Sequence, residues 1–216
     1  MKKYDVILFD LDGTLTDSSP GIINSIVYAL KKYGIAVEDT AELKRFLGPP
    51  LHESFKEFYG FDDKKAMEAT CFYREYFSTK GIFENKVYEG IPSLLETLAN
   101  EGKRLILATS KPQKFTNIIM EHFDLAKYFE CIVGSNMDGT RSKKADVIEY
   151  ALNKCCVTDK SKAVMVGDRM HDVIGAKTAG IDSIGAQYGY GNYDELNNSG
   201  ATYIVKTVDD LKNLIC

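Results

Sequence analysis

The sequence predicts an α/β protein, a doubly wound parallel-sheet core interrupted by an inserted α-helical domain. Three observations carry this. Short β-rich runs alternate with amphipathic stretches along most of the chain, the order that builds strand–helix–strand units. The first run, Val6-Ile7-Leu8-Phe9, is apolar at every residue, as expected of a strand covered on both faces. Between residues 17 and 82 the strand signal stops and helical periodicity takes over.

Taken in order, the predicted strands are Tyr4–Phe9, Arg104–Thr109, Cys131–Ser135, Ala163–Gly167, Ser183–Gln187 and Tyr203–Lys206. Helical patterns fall between them over Pro92–Asn100, Gln113–Phe123, Lys144–Lys154, Asp172–Ala179 and Asp209–Leu214. Inside the insertion, Ser18-Ser19-Pro20 offers a cap and a first-turn proline. Ile22, Ile23, Ile26, Val27 and Leu30 follow at helical spacing. Asp62-Asp63 opens another long helical pattern through Phe77, and Gly34, Gly48-Pro49-Pro50 and Gly60 punctuate the pieces. Residues 81–88 read as the returning linker. The expected division is therefore residues 1–16 and 83–216 for the α/β core and 17–82 for the helical domain.

Composition narrows the function classes. The 216 residues carry 27 Lys+Arg against 31 Asp+Glu, a net charge of −4, which argues against a broad basic face for nucleic acid. No stretch approaches the ~20 apolar residues of a membrane span. Met1-Lys2-Lys3 has the charge of a signal peptide, but the apolar run behind it stops at Asp10. The five cysteines (Cys71, Cys131, Cys155, Cys156 and Cys216) are odd in number and form no C-x-x-C pair. They read as ordinary thiols of a reducing compartment. A cytoplasmic monomer or homodimer is expected, with neither nucleic acid nor membrane as partner.

The chemistry lies at the strand ends. Asp10-Leu11-Asp12-Gly13-Thr14 directly follows the first apolar run, and such a D-x-D-G-T string arises by chance in a chain of this composition with a probability of about 0.002. Period two places Asp10 and Asp12 on one face where the strand ends. Two carboxylates there repel each other unless a cation or proton intervenes, a physical demand for Mg²⁺. Gly13 lets the backbone turn after the pair. A second acidic pair, Asp168 and Asp172, follows the apolar run Val164-Met165-Val166-Gly167. In an open parallel sheet ligands gather beyond the carboxyl ends of the strands, so Asp168 is placed to complete an oxygen-rich metal site with Asp10 and Asp12. Alone, this second pair would equally serve as a helix cap. Thr109-Ser110-Lys111 presents a hydroxyl and then backbone N–H groups suited to a phosphate oxygen, or else a cap for the next helix. Lys143-Lys144 opens a helix, where cations are unfavourable, so the pair points to an anionic partner or to a solvated surface.

In this order the residues resemble the four motifs of the haloacid-dehalogenase-like hydrolase superfamily, whose core is Rossmann-like. The helical insertion after the first motif resembles the small cap of its phosphoglycolate-phosphatase-like branch. The resemblance implies Asp10 as nucleophile, Asp12 as general acid and then base, Thr109 as the phosphate-holding hydroxyl and Asp168 as a metal ligand. Asp172 fits the supporting acid beside it. The lysine role falls on Lys144, which directly precedes Ala145-Asp146 and the start of the helix's apolar face, with Lys143 as the alternative. Mg²⁺ would then be held by the Asp10 and Asp168 carboxylates and the Asp12 main-chain carbonyl. His171 reads as a surface residue or one lying behind the site.

A Mg²⁺-dependent phosphatase for a small phosphate monoester is the function this implies, with a phosphoglycolate-like substrate favoured by the resemblance. A sugar phosphomutase of the β-phosphoglucomutase type, or a 5′-nucleotidase or pyrophosphatase, would use the same motifs. A non-catalytic binding module is the reading from another class, and retention of both aspartates, the lysine and the acidic pair speaks against it. Substrate selection would fall to Ser110 and to the cap, where Arg45, Lys44 and His52 flank the turn Gly48-Pro49-Pro50-Leu51. That turn reads equally well as a plain helix-to-helix connection.

Overall fold

The structure, a computed structural model, describes residues 3–138 and 140–216; Met1, Lys2 and Gly139 lie outside it. The chain begins with β1 (Val6–Phe9), β2 (Thr16–Asp17), α1 (Ser19–Lys31), a 3-10 segment Thr40–Phe46, α2 (Leu51–Tyr59) and α3 (Asp63–Tyr76). The last runs into a π turn, Phe77–Gly81, and is followed by β3 (Lys86–Val87). Next come α4 (Ile91–Asn100), β4 (Arg104–Pro112), α5 (Gln113–His122), β5 (Cys131–Ser135) and α6 (Lys144–Lys154). The chain ends with β6 (Ala163–Gly167), α7 (Met170–Ala179), β7 (Asp182–Ala186), α8 (Tyr193–Asn198), β8 (Tyr203–Val205) and α9 (Val208–Ile215). Two compact units result: Met1–Asp17 with Val87–Cys216, and Ser18–Lys86.

The first unit is built on a six-stranded sheet in the order β5-β4-β1-β6-β7-β8, every pair parallel. Its central strand is β1, and all four of its residues are buried. Leu8 on one face joins Ile106, Val133 and Met165 of neighbouring strands under Val147, Ile148 and Ala151 of α6 and Ala176 of α7. After β1 the chain builds outward through β4 and β5, then crosses back to β6 on the other side. The carboxyl ends of β1, β4 and β6 therefore lie side by side where the winding direction reverses, with Phe9 level with both Leu107 and Val166.

Several elements differ from the sequence expectation for local reasons. Strand β4 continues three residues past Thr109 to Pro112 through a register shift after Ala108, so Ser110 and Lys111 are strand residues and not a loop. Helix α7 starts at Met170, because the Asp172 carboxylate accepts from the Arg169 N–H and closes the first turn. The short polar helix α8 was not anticipated; the Asn192 side chain caps it by accepting from the Glu195 N–H. Among the described residues no helix is long and apolar enough to cross a membrane.

The second unit is helical, and its elements are set by caps. Asp39 accepts from the Ala41 N–H and Asp62 from the Lys65 N–H, while Gly60 ends α2 in the left-handed conformation. Ser18 makes no side-chain cap bond to α1, contrary to expectation; the proline in the first turn supplies the start signal instead. Phe46 packs edge-on against Phe55 and Phe58, and Phe55 stacks on Phe61. The unit extends to Lys86 rather than the expected residue 82. Glu84 explains the difference: its carbonyl accepts from the Gly21 N–H (3.0 Å), and its carboxylate accepts from Asn24 (2.8 Å) and Tyr76 (2.9 Å).

Within this unit α1 and the π turn meet backbone to backbone, and a Cβ at Gly21 would lie 1.9 Å from the Gly81 carbonyl oxygen. Backbone cannot rotate away as a side chain can, so Gly21→Ala should destabilise the protein by at least about 3 kcal/mol. Gly34→Ala meets open space and only a left-handed backbone (φ +70°), and should cost about 1 kcal/mol. Urea denaturation of both variants checks this; equal midpoints would contradict the close approach.

Candidate active site

Beyond β1 the chain turns back at once. The Leu11 carbonyl accepts from the N–H groups of Leu15 (2.9 Å) and Thr16 (3.0 Å), and Gly13 donates to the Thr16 carbonyl at 2.7 Å. Gly13 sits at φ +82°, and a Cβ there would fall 2.2 Å from Asp168 Oδ2. No other residue meets both demands, the left-handed turn and the contact with the carboxylate of the neighbouring strand. Asp10 itself is fixed by its N–H, which donates to the Val166 carbonyl at 2.9 Å.

Three carboxylates converge there. Asp10, Asp168 and Asp172 are buried and offer oxygen atoms that all lie within 4.8 Å of one another. Lys144 is the cation among them: its Nζ lies 2.7 Å from Asp10 Oδ1 and 2.8 Å from Asp172 Oδ1, and it donates to the Ala108 carbonyl at 3.2 Å. Lys144 shares a helical face with Val147, Ile148 and Ala151, the face of α6 that packs on the sheet. Lys143, one residue back, is exposed.

The electrostatics follow from three buried negative charges facing one positive. Burial pushes the Asp10 carboxyl up to about 6, opposed by the Lys144 ammonium and reinforced by Asp172. Asp168 is held well above the usual carboxylate range by burial and by the charges of Asp172 and Asp10. For Lys144, burial alone would depress the ammonium, but the attraction of Asp10 and Asp172 outweighs it and the net shift is upward. The ammonium reaches Asp10 Oδ1 and Asp172 Oδ1 at ion-pair distance, and among the described residues no other group is paired with either oxygen.

Asp12 lies apart from this group. Its two oxygens take the Lys111 Nζ at 3.0 and 2.8 Å, and its carboxylate is not among the three that converge. Thr109 is buried, and its Oγ1 accepts from the Lys111 N–H at 3.2 Å. Ser110 is half-buried, and its carbonyl accepts from Ser135 Oγ at 2.7 Å.

Sequence reasoning passed over two parts of the site. In the sequence Lys111 stands only as the end of Thr109-Ser110-Lys111, although the two-residue step from Thr109 places it on the same strand face. The loop after β7 was not singled out at all. There the Tyr190 N–H donates to Asp168 Oδ2 at 2.7 Å, and Tyr188 Oη donates to the Thr14 carbonyl at 3.2 Å. Thr14 Oγ1 reaches the other Asp168 oxygen at 3.2 Å, so both of its oxygens are held. His171 is exposed, as the sequence reading placed it, and desolvation together with the Arg169 charge lowers its basicity.

Arg45 and His52 belong to the helical unit. The Arg45 guanidinium lies over the Phe58 ring at 4.4 Å and near Tyr59 at 5.8 Å. His52 Nδ1 lies 3.1 Å from Glu53 Oε1, and its Nε2 lies 3.3 Å from the Asp63 carbonyl.

Comparison with known proteins agrees with this geometry. A family model described as haloacid dehalogenase-like hydrolase matches residues 7–186. A 5′-nucleotidase of Pseudomonas aeruginosa is 43% identical over 213 residues, covering 99% of this chain and 96% of that protein. A protein of Mycobacterium tuberculosis named tyrosine-protein kinase PtkA is 38% identical over 212 residues, 97% of this chain and 72% of its own length. The crystal structure of a predicted phosphatase from Clostridium acetobutylicum aligns with a TM-score of 0.94 at 52% identity, covering 99% of this chain and 98% of that one. By fold, by motif order and by kinship, the chain belongs to the haloacid dehalogenase-like hydrolases, as one of the phosphatases among them.

Proposed function

We propose that the protein hydrolyses small phosphate monoesters through an aspartyl-phosphate on Asp10, with Mg²⁺ as its metal. The observation that carries this is the buried set of Asp10, Asp168 and Asp172 against the single cation Lys144. The donor set fits Mg²⁺: hard carboxylate oxygens of three buried aspartates, with negative charge in excess over the one ammonium of Lys144. Asp10, Asp168 and the Asp12 main-chain carbonyl would hold it, and when bound it offsets the repulsion between the phosphate and the Asp10 carboxylate.

The rest of the chemistry belongs to the chain. An Asp10 oxygen attacks phosphorus while the bond to the ester oxygen breaks, and Asp12 gives that oxygen its proton. Asp12 next takes a proton from a water whose oxygen attacks the same phosphorus, which releases phosphate and restores Asp10. Lys144 and the Thr109 hydroxyl hold the equatorial oxygens, over which charge spreads in the transition state. Nucleoside 5′-monophosphates stand first among candidate substrates, because the relative at 43% identity is named 5′-nucleotidase. Phosphoglycolate, favoured by the motif resemblance, comes next. The phosphomutase alternative needs a cap cation for a second phosphate, and Arg45 is instead stacked on aromatic rings. All five cysteines are unlinked, which supports a reducing, cytoplasmic setting.

Phosphate release over a panel of nucleoside monophosphates, phosphoglycolate and sugar phosphates tests this reading. Activity should require Mg²⁺ and vanish in excess EDTA, and Asp10→Asn and Asp12→Asn should each lower kcat by at least about 1,000-fold. Near-wild-type release by Asp10→Asn would end the aspartyl-phosphate reading.

The two lysines separate by burial. Lys144→Ala leaves two buried carboxylates without their cation and should lower kcat by about 100- to 10,000-fold. Lys143→Ala removes a solvated charge and should cost less than about tenfold. The reverse ranking, with folding confirmed by circular dichroism, would move the role to Lys143.

Charge crowding also sets a pH dependence in the metal-free protein. The folded pKa of Asp10, about 6, lies above its unfolded value. The penalty for ionising it is thus fully present above pH 6, and is relieved as pH falls through 6 toward 4. Asp10→Asn should therefore stabilise the EDTA-treated protein at pH 7.5, by on the order of 2 kcal/mol, and do so much less at pH 4.5. A stability difference that stays constant across this range in chemical denaturation would contradict the crowding.

A further inference from the structure

Among the described residues two lysines are buried, Lys111 and Lys144, and the reaction above uses only the second. Their carboxylate partners do not overlap. Lys144 takes Asp10 and Asp172, and Lys111 takes both oxygens of Asp12. Four acidic side chains at one end of the sheet are thereby sorted into a convergent group of three and a single one outside it.

The sorting has to be enforced. Asp12 is only two residues from Asp10, in the turn that follows β1, and a carboxylate within reach of a divalent cation is ordinarily drawn into its coordination. An Asp12 carboxylate bound to the metal could not carry a proton to the leaving group. Lys111 is well built to prevent this. Its side chain is 6% exposed, its N–H donates to Thr109 Oγ1 at 3.2 Å, and its carbonyl accepts from Thr116 Oγ1 at 3.3 Å. Strand β5 packs against the same carbonyl, which lies only 2.6 Å from where a Cβ at Gly134 would stand. The ammonium is thus delivered from a rigid backbone, and it grips both Asp12 oxygens at once.

We infer that Lys111 is a positioning residue that holds the Asp12 carboxylate out of the metal's coordination and so reserves it for proton transfer. This rests on the metal and acid–base reading above, and it goes beyond that reading by assigning the division of labour among the carboxylates to one side chain. It makes a counter-intuitive claim: removing Lys111 should improve metal binding while harming catalysis.

Titration calorimetry with Mg²⁺ alone, on the full chain stripped of metal, tests the claim alongside steady-state kinetics. Lys111→Met should tighten Mg²⁺ binding by about tenfold or more and lower kcat by about 100-fold, with KM changed less than about threefold. In an Asp12→Asn background, with no carboxylate left to swing in, the same substitution should tighten Mg²⁺ by less than about threefold. Lys111→Arg should bring both quantities back to within about tenfold of wild type. Lys111→Gln is held to the same criteria if the methionine variant does not fold. Unchanged Mg²⁺ affinity would overturn the inference. So would equal tightening in the Asp12→Asn background, which would reduce Lys111 to a general charge effect. A loss confined to KM would make it a substrate anchor instead. A wild-type chain that takes up no Mg²⁺, or an Asp10→Asn variant with full turnover, would bring down the underlying reading and this inference with it. The failure of Lys111 alone leaves both of those controls intact.

Discussion

Burying three carboxylates beside one ammonium is electrostatically costly, and much of the first unit's architecture can be understood as supporting that arrangement. Lys144 cannot neutralise Asp10, Asp168 and Asp172 together, and the two aspartates at the ends of β1 and β6 have raised proton affinities in consequence. Such a cluster persists only where the surrounding fold leaves its members no freedom to move apart. Here the restraints come from the backbone. A ladder bond fixes Asp10, a capping bond fixes Asp172, and the Tyr190 N–H fixes Asp168. The resulting excess of negative charge gives the cluster the capacity to hold a divalent cation.

Parallel winding supplies the convergence. Because the chain reverses direction around β1, the ends of strands separated by about 150 residues of sequence stand next to each other without any special loop. The Asp12–Thr16 turn then folds back over the end of β6, and the loop after β7 closes on the same carboxylate from the far side. The clustered carboxylates are held by main chain on both sides, while the helical unit is organised around its own aromatic cluster.

The parts of this design that were legible in the sequence are those encoded over short distances. Asp10 and Asp12 announce themselves because a two-residue step at a strand end is a local pattern, and Lys144 because it falls on the apolar repeat of its own helix. Strands β5 and β6 were bounded correctly for the same reason, since each is an uninterrupted apolar or small-residue run between polar flanks. Lys111 escaped notice because its meaning lies in a partner 99 residues away, and no local period records the pairing of β1 with β4. The helix Tyr193–Asn198 is six residues long with only Leu196 buried, too short and too polar to display a period. Glu84 likewise looked like linker, because the three donors that bind it come from α1 and α3.

Lys144 has one more neighbour of note. Its stem crosses the interface between α6 and α7 opposite Gly175, where a methyl group would stand 2.9 Å from the lysine Cγ. The helix contact therefore acts as a spacer whose thickness is set by a missing side chain, and the position of the ammonium depends on that thickness. A residue that touches no reacting group is in this way bound to the chemistry by volume alone. Over evolutionary time positions 144 and 175 should behave as one inherited unit, with any gain of bulk at the second tolerated only where the first has already been relieved of its task.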